Sequence, residues 1–109
     1  MSLGGGGGGG TPRYRDPAVT SGRSAQRKAS DVYSFAVLAW EVLSGAQPFA
    51  GLDVTSVLKL VEAGERPPLE ALHEDTPAAI PKLIGRCWAA EQAKRPTAEE
   101  VWETLLLMK

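Results

Sequence analysis

The residue types best suited to metal binding or nucleophilic catalysis occur only once each in this sequence. Cys87 is the single cysteine and His73 the single histidine. One cysteine cannot form an internal disulfide, and the two residues together are too few for a Cys- and His-ligated zinc centre. Cys87 belongs to an apolar stripe with helical spacing, and His73 has no catalytic context in its Leu-His-Glu sequence. We therefore expect Cys87 to lie in the core and His73 in an ordinary loop, and we predict no metal site.

The glycine run from Gly4 to Gly10 is the feature closest to a phosphate-binding loop. Such a loop follows a strand and leads into Gly-Lys-Ser/Thr at the start of a helix. Here only Met-Ser-Leu precedes the run and Thr-Pro-Arg follows it. We interpret residues 1–10 as a disordered, low-complexity segment that holds no cofactor.

Charge and hydropathy exclude several classes of protein. Twelve basic and thirteen acidic residues give a net charge of −1, and 43% of the 109 residues are hydrophobic. Nucleic-acid and membrane-surface binders carry a basic patch that is missing here, so we predict neither partner. No apolar run reaches the roughly 18 residues that a membrane span requires. The first residues do not resemble a signal peptide, and we expect a cytoplasmic protein, with the nucleus also possible.

Four segments carry helical patterns, and no segment alternates like a strand. The first, Ser30 to Ser44, is apolar on nearly every side, which predicts a helix that must be covered on nearly every side. Gly45 ends it in the manner of a glycine that follows a helix. Residues 11–29, rich in Pro, Gly, Ser and basic residues, are predicted to form an extended loop pinned by Tyr14 and Val19.

Local signals also define the other three helices. Asp53 is the predicted N-cap of the second helix, which Gly64 closes. Pro81 lacks the amide hydrogen of a helix interior, so the third helix should start late, near Pro81, or be kinked there. Thr97 and Glu100 form a capping box, T-x-x-E, at the start of the fourth. The predicted apolar faces are Val54, Val57, Leu58 and Val61; Ile80, Leu83, Ile84, Cys87 and Trp88; and Val101, Trp102, Leu105, Leu106 and Met108.

These elements predict an all-α fold in which the Ser30–Ser44 helix lacks enough neighbours. Three short helices and a loop cannot cover it all round. Leaving an aromatic-rich side of the helix exposed to water would reduce the free energy of unfolding by a few kcal/mol, at roughly 25 cal/mol per Å² of apolar surface left unburied. We expect the side formed by Tyr33, Val37 and Trp40 to remain partly exposed in the isolated chain, so that either a partner or a larger domain covers it.

Three motifs, in order and with family spacing, make the sequence resemble a protein kinase of the tyrosine-kinase-like group. Residues 10–18 (GTPRYRDPA) resemble the GTPRYMAPE segment that closes the activation segment, and residues 28–37 (KASDVYSFAV) resemble the KSDVYSFGV opening of the F helix. Cys87-Trp88 and residues 95–97 (RPT) are similar to the CW…RPT signature near the end of the domain. The resemblance implies that residues 11–109 are the C-terminal part of a kinase large lobe, whose F helix is surrounded on every side.

The resemblance also implies roles for individual residues. Thr11, Pro12 and Tyr14 match the loop that receives the substrate, in which Thr11 approaches the catalytic aspartate. Asp31 matches the F-helix aspartate that accepts hydrogen bonds from catalytic-loop amides; its alternative role is that of a helix-capping or first-turn acid. Trp88 matches a structural core residue.

Arg95 matches the arginine that pairs with the glutamate of APE, but that position is Ala18 here. Either Asp16, two residues earlier, has taken over the pairing, or Arg95 is solvated.

The 109 residues contain no VAIK lysine, no HRD and no DFG motif, so the groups that hold ATP and Mg²⁺ in a complete kinase domain are missing from this sequence. We interpret the chain as an inactive fragment of a kinase that phosphorylates protein Ser/Thr, with Tyr possible in the complete domain. Its predicted partners are a protein substrate or the missing kinase lobe. The alternative is a non-catalytic helical interaction module derived from a kinase fold.

Overall fold

The computed structural model describes residues 13–18 and 24–107, with side chains in the second range placed from residue 27 onward. Its elements are α1 (Ser24–Ser44), α2 (Val54–Glu62), α3 (Ala79–Cys87) and α4 (Ala98–Leu107), with 3-10 turns at Leu69–Ala71 and Gln92–Lys94. The all-α prediction is confirmed, because these residues form helices, turns and loops without a strand. None of the helices in this part of the chain is long and apolar enough to cross a membrane.

Helix α1 is longer than the sequence pattern predicted. It begins at Ser24, so the predicted loop of residues 11–29 is wrong over its last six residues. Residues 25–29 are Ala, Gln, Arg, Lys and Ala, which favour helix by intrinsic propensity but carry no apolar stripe to reveal it. The end at Ser44 is as predicted, since Gly45 adopts a φ of 72° and its amide donates to the Glu41 carbonyl at 2.9 Å.

The predicted start signals of α2 and α4 operate in the structure. The Asp53 carboxylate accepts a hydrogen bond from the Ser56 amide at 2.8 Å. At α4 the capping box is reciprocal: the Glu100 amide donates to the Thr97 hydroxyl at 3.1 Å, and the Thr97 amide donates to the Glu100 carboxylate at 2.8 Å. In α3, Pro81 occupies the first turn, where its missing amide hydrogen would have had no partner within the helix.

The core forms where one side of α1 packs against α3. The prediction that Tyr33, Val37 and Trp40 would be exposed is wrong, because these side chains are only 1%, 1% and 3% exposed. The Trp40 indole also donates to the Pro68 carbonyl at 2.7 Å. Residues of the other three helices, and Trp88 directly after α3, complete this core: Val57, Val61, Leu83, Ile84, Cys87, Trp88 and Val101.

The exposed side of α1 is the opposite one. Phe35, Leu38 and Val42 are 41%, 38% and 71% exposed, and their spacing places them on one face, which we call the open face of α1. The sequence correctly predicted that one side of α1 is exposed, but it did not predict which side. Apolar residues occur all round the helix, so their positions do not indicate which side faces the core.

The predicted apolar faces of α2 and α4 are buried only in part. Val57 and Val61 are buried, whereas Val54 is exposed. In α4, Val101 is buried and Leu105 half-buried, but Trp102 and Leu106 face solvent. Met108 lies outside the described residues.

Candidate functional site

The predicted site centres on residues 13–18, the part of the activation-segment match that the structure describes. This segment lies along α1 between Ser30 and Glu41, and three of its side chains hold it in place. Thr11 and Pro12 lie outside the described residues, as does the glycine run. We call residues 13–18 the anchored segment.

Arg13 ties the segment to the loop between α1 and α2. Its guanidinium donates to the Pro48 carbonyl at 2.8 Å, to the Phe49 carbonyl at 2.6 Å and to the Leu52 carbonyl at 2.8 Å. Phe49 has a φ of 52° and Gly51 a φ of 86°, so the loop turns sharply enough to aim these carbonyls at one cation. Sequence reasoning missed this role, because nothing near Arg13 in the sequence indicates carbonyl acceptors more than thirty residues away.

Tyr14 ties the segment to the middle and to the last turn of α1. Its hydroxyl donates to the Glu41 carboxylate, and its backbone carbonyl accepts a hydrogen bond from the Ser34 hydroxyl at 2.8 Å. Burial and the neighbouring Glu41 charge raise the pKa of the Tyr14 hydroxyl to about 12, so it remains a neutral donor. The prediction that Tyr14 pins this segment is therefore confirmed; Val19, its predicted companion, lies outside the described residues.

Asp16 forms a buried ion pair with Arg95, which decides between the two roles proposed for that arginine. The two terminal nitrogens of Arg95 donate to the two carboxylate oxygens of Asp16 at 2.6 and 2.7 Å, and the side chains are 1% and 0% exposed. Burial by itself raises the pKa of Asp16, but the hydrogen bonds from Arg95 and three other donors outweigh it and lower the pKa to about 2. Arg95 is thus paired with Asp16 and is not solvated.

Two arginines also lie over the ring of Tyr33, beneath the anchored segment. The guanidinium carbons of Arg95 and Arg66 are 5.0 and 5.3 Å from its ring centroid, within the range of cation–π attraction. Arg66 further donates to the Trp88 carbonyl at 2.9 Å, and Trp88 is 5% exposed. Trp88 therefore lies in the core beside this arginine.

Asp31 lies on the opposite side of α1, at the edge of the open face. It is exposed, and α1 begins seven residues before it, so the alternative role of Asp31 as a capping or first-turn acid is excluded. The side chain borders a groove of about 650 Å³ between the first half of α1 and the start of α4. We call this the α1–α4 groove; Val32, Phe35, Ala98 and Val101 give it an apolar wall.

Potential metal ligands and the lone cysteine can also be located in the described residues. No group of three or more His, Cys, Asp or Glu side chains within ranges 13–18 and 24–107 could hold a metal ion. Cys87 is fully buried, and burial raises the pKa of its thiol to about 11, so it is not a poised nucleophile. His73 lies in a loop, where its amide donates to the Leu43 carbonyl at 2.9 Å.

Comparison with known proteins gives one family match that includes the anchored segment, Asp31, Trp88 and Arg95. The family model described as "Protein tyrosine and serine/threonine kinase" matches residues 12–105. A protein of Acanthamoeba polyphaga mimivirus, named as a serine/threonine-protein kinase/receptor, is 41% identical over 99 residues, which is 91% of this chain and 6% of that protein. The dual specificity protein kinase pyk3 of Dictyostelium discoideum is 39% identical over 99 residues, covering 90% of this chain and 7% of pyk3.

A plant protein gives a similar match. The serine/threonine/tyrosine-protein kinase HT1 of Arabidopsis thaliana is 38% identical over 88 residues, which is 80% of this chain and 22% of HT1. The chain therefore spans less than a quarter of the length of each of these three relatives.

Proposed function

This chain belongs to the protein tyrosine and serine/threonine kinase family, and from that premise we propose that it forms the substrate-binding end of a kinase large lobe. In a complete domain, ATP and Mg²⁺ are held by residues that this sequence does not contain. The reaction is the transfer of the γ-phosphate of ATP to a protein hydroxyl, of Ser or Thr and, in dual-specificity enzymes, of Tyr. The relatives named for Ser/Thr and dual specificity support this substrate class.

The observation that carries the proposal is the open face of α1. Phe35, Leu38 and Val42 leave apolar surface exposed to water on the longest of the described helices, beside the partly apolar α1–α4 groove. Exposed apolar surface next to a groove is typical of a face that another element covers. The F helix, which α1 resembles, packs against the E helix and the catalytic loop, so we propose these as the missing cover.

Within such a complex the residues of this chain would position groups rather than react. Phosphoryl transfer depends mainly on placing the acceptor hydroxyl in line with the phosphate and on stabilising charge. The anchored segment would hold the substrate loop, with Thr11 next to the acceptor. Asp31 is exposed at the edge of the open face and does not cap α1; in the complete domain it would accept hydrogen bonds from backbone amides of the catalytic loop.

A second function draws on the same observation. The open face would equally serve a non-catalytic module that binds another protein through α1. An experiment can distinguish the two functions. Only the first requires the chain to support phosphoryl transfer when the rest of a kinase domain, with its ATP-binding and catalytic residues, is supplied.

A chimera tests the proposal directly. Residues 12–105 replace the matching segment in the kinase domain of the Dictyostelium dual-specificity relative, and transfer of labelled phosphate from ATP to a generic protein substrate is measured. We expect transfer at a rate comparable with that of the parent domain. Asp31→Asn in the chimera is the inactive comparison: it should abolish most of the phosphate transfer while leaving ATP binding intact. A folded chimera that binds ATP but transfers no phosphate would overturn the kinase proposal and favour the interaction module.

A further inference from the structure

The Asp16 carboxylate is the most highly coordinated polar group in the anchored segment. Besides the two bonds from Arg95, it accepts hydrogen bonds from Gln92 at 2.9 Å, from the Ser30 hydroxyl at 2.8 Å and from the Ala18 amide at 2.8 Å. Five donors thus converge on two oxygens, which saturates a buried carboxylate. Such a group joins the anchored segment to α1, to the second 3-10 turn and to the loop before α4.

We infer that Asp16 is the positioning residue of the substrate-binding segment. In the APE motif a glutamate, at the position of Ala18 here, supplies the negative charge that pairs with the arginine; in this chain Asp16 supplies that charge. The inference rests on the proposed function. Asp16 is the only acid among residues 13–18, and Ala18 has no side chain that could reach Arg95. The register of the anchor has therefore moved by two residues along the chain.

The backbone turn at Pro17 explains how the Asp16 carboxylate can reach Arg95 from a position two residues earlier in the chain. The Ala18 amide donates to the Asp16 carboxylate, closing a tight turn across Pro17. Aspartate is one methylene shorter than glutamate, yet both of its carboxylate oxygens reach the Arg95 guanidinium, at 2.6 and 2.7 Å. Arg95 is held ready by bonds to the Ala89 carbonyl at 2.8 Å and the Ala29 carbonyl at 3.1 Å.

The consequence for substrate binding is local. Tyr14 and Asp16 fix the anchored segment to α1 at two points, and the substrate-loop residues Thr11 and Pro12 directly precede it in the sequence. Loss of the Asp16 charge should release the segment and weaken the binding of the protein substrate, while the binding of ATP, whose site lies elsewhere, should stay unchanged.

The first test uses the full chain and needs no activity. Asp16→Asn keeps the size of the side chain and removes its charge; we expect Tm to fall by roughly 8 °C or more. Asp16→Ala should cost at least as much. Adding Ala18→Glu to Asp16→Ala puts the acid at the position of the glutamate in the APE motif and should restore most of the loss. Glu62→Gln, which removes an exposed acid on α2, is the matched control and should leave Tm unchanged.

Failure of the relocated glutamate to restore Tm would overturn the inference, because the two acids would then not share one role. An effect of Asp16→Asn no larger than that of Glu62→Gln would overturn it as well.

The second test separates a positioning role from a merely structural one. In the chimera, Asp16→Asn should raise the KM for the protein substrate severalfold and leave the KM for ATP unchanged, and the relocated glutamate should reverse the rise. An equal loss in kcat with both KM values unchanged would refute the positioning role. If the unaltered chimera is inactive, the proposed function fails, whereas the Tm series still decides whether Asp16 and a glutamate at position 18 are interchangeable anchors.

Discussion

Two valines on α1 allow the open face to be tested with one type of substitution on one helix. Val37 is 1% exposed and lies on the covered side, whereas Val42 is 71% exposed and lies on the open face. Val37→Ala and Val42→Ala delete the same two methyl groups from the same helix, so any difference between them reports on their surroundings. We expect Val37→Ala to destabilise the chain and Val42→Ala to leave its stability nearly unchanged.

The size of the difference follows from burial. Each buried methyl or methylene contributes about 0.8 kcal/mol, and the cavity left by a deletion in a packed core adds to the loss. For Val37, in contact with the core of α1 and α3, the free energy of unfolding should fall by about 2–3 kcal/mol. For Val42 most of the side chain is already in water, and alanine favours helix over valine by about 0.5 kcal/mol, so the change should lie near zero or slightly in favour of the variant.

Urea unfolding of the full chain, followed by tryptophan fluorescence and circular dichroism, measures both values. The m-value should be the same in the two variants, because neither changes how much surface unfolding exposes, and the difference should appear in the midpoint alone. Runs at two protein concentrations show whether the open face is covered by self-association, which would make the midpoint depend on concentration.

Equal losses in the two variants, or a larger loss for Val42→Ala, would refute the assignment of the two sides of α1. A loss for Val42→Ala that appears only at the higher concentration would instead show that a second copy of the chain occupies the open face.

Three further predictions concern local features. The pKa of Asp16 is about 2 in the folded chain against 3.8 in the unfolded one. The ionised carboxylate therefore stabilises the fold by about 2 kcal/mol above about pH 4, and this stabilisation is lost as the pH falls towards 2. Unfolding measured over this pH range should show the loss in the wild type and not in Asp16→Asn. Thr97→Ala removes a capping-box acceptor and should cost about 1 kcal/mol in urea unfolding, whereas Thr55→Ala, at an exposed helical position, should cost less. Cys87 should react with iodoacetamide at pH 8 only after unfolding, because burial raises its pKa to about 11; fast labelling of the native chain would contradict its place in the core.

The sequence by itself determined the features that depend on neighbours within one or two helical turns. The capping box of Thr97 and Glu100, the cap at Asp53 and the glycine that ends α1 are interactions between residues at most four apart, and each has the predicted geometry. The kinase resemblance was also readable, because it rests on three short motifs in order. The start of α1 was not, since its first turns are polar and carry no periodic signal.

Only the tertiary structure decided which side of α1 is covered and how the anchored segment is held. A helix that is apolar all round has no pattern to point towards its neighbours, so the burial of Tyr33, Val37 and Trp40 depended on where α2 and α3 pack. Asp16 and Arg95 lie 79 positions apart, and Arg13 reaches carbonyls 35 to 39 positions away. Every residue type has the same backbone carbonyl, so a sequence does not show which carbonyls will accept a hydrogen bond. The Asp16–Arg95 pair likewise forms only when packing brings these distant segments together.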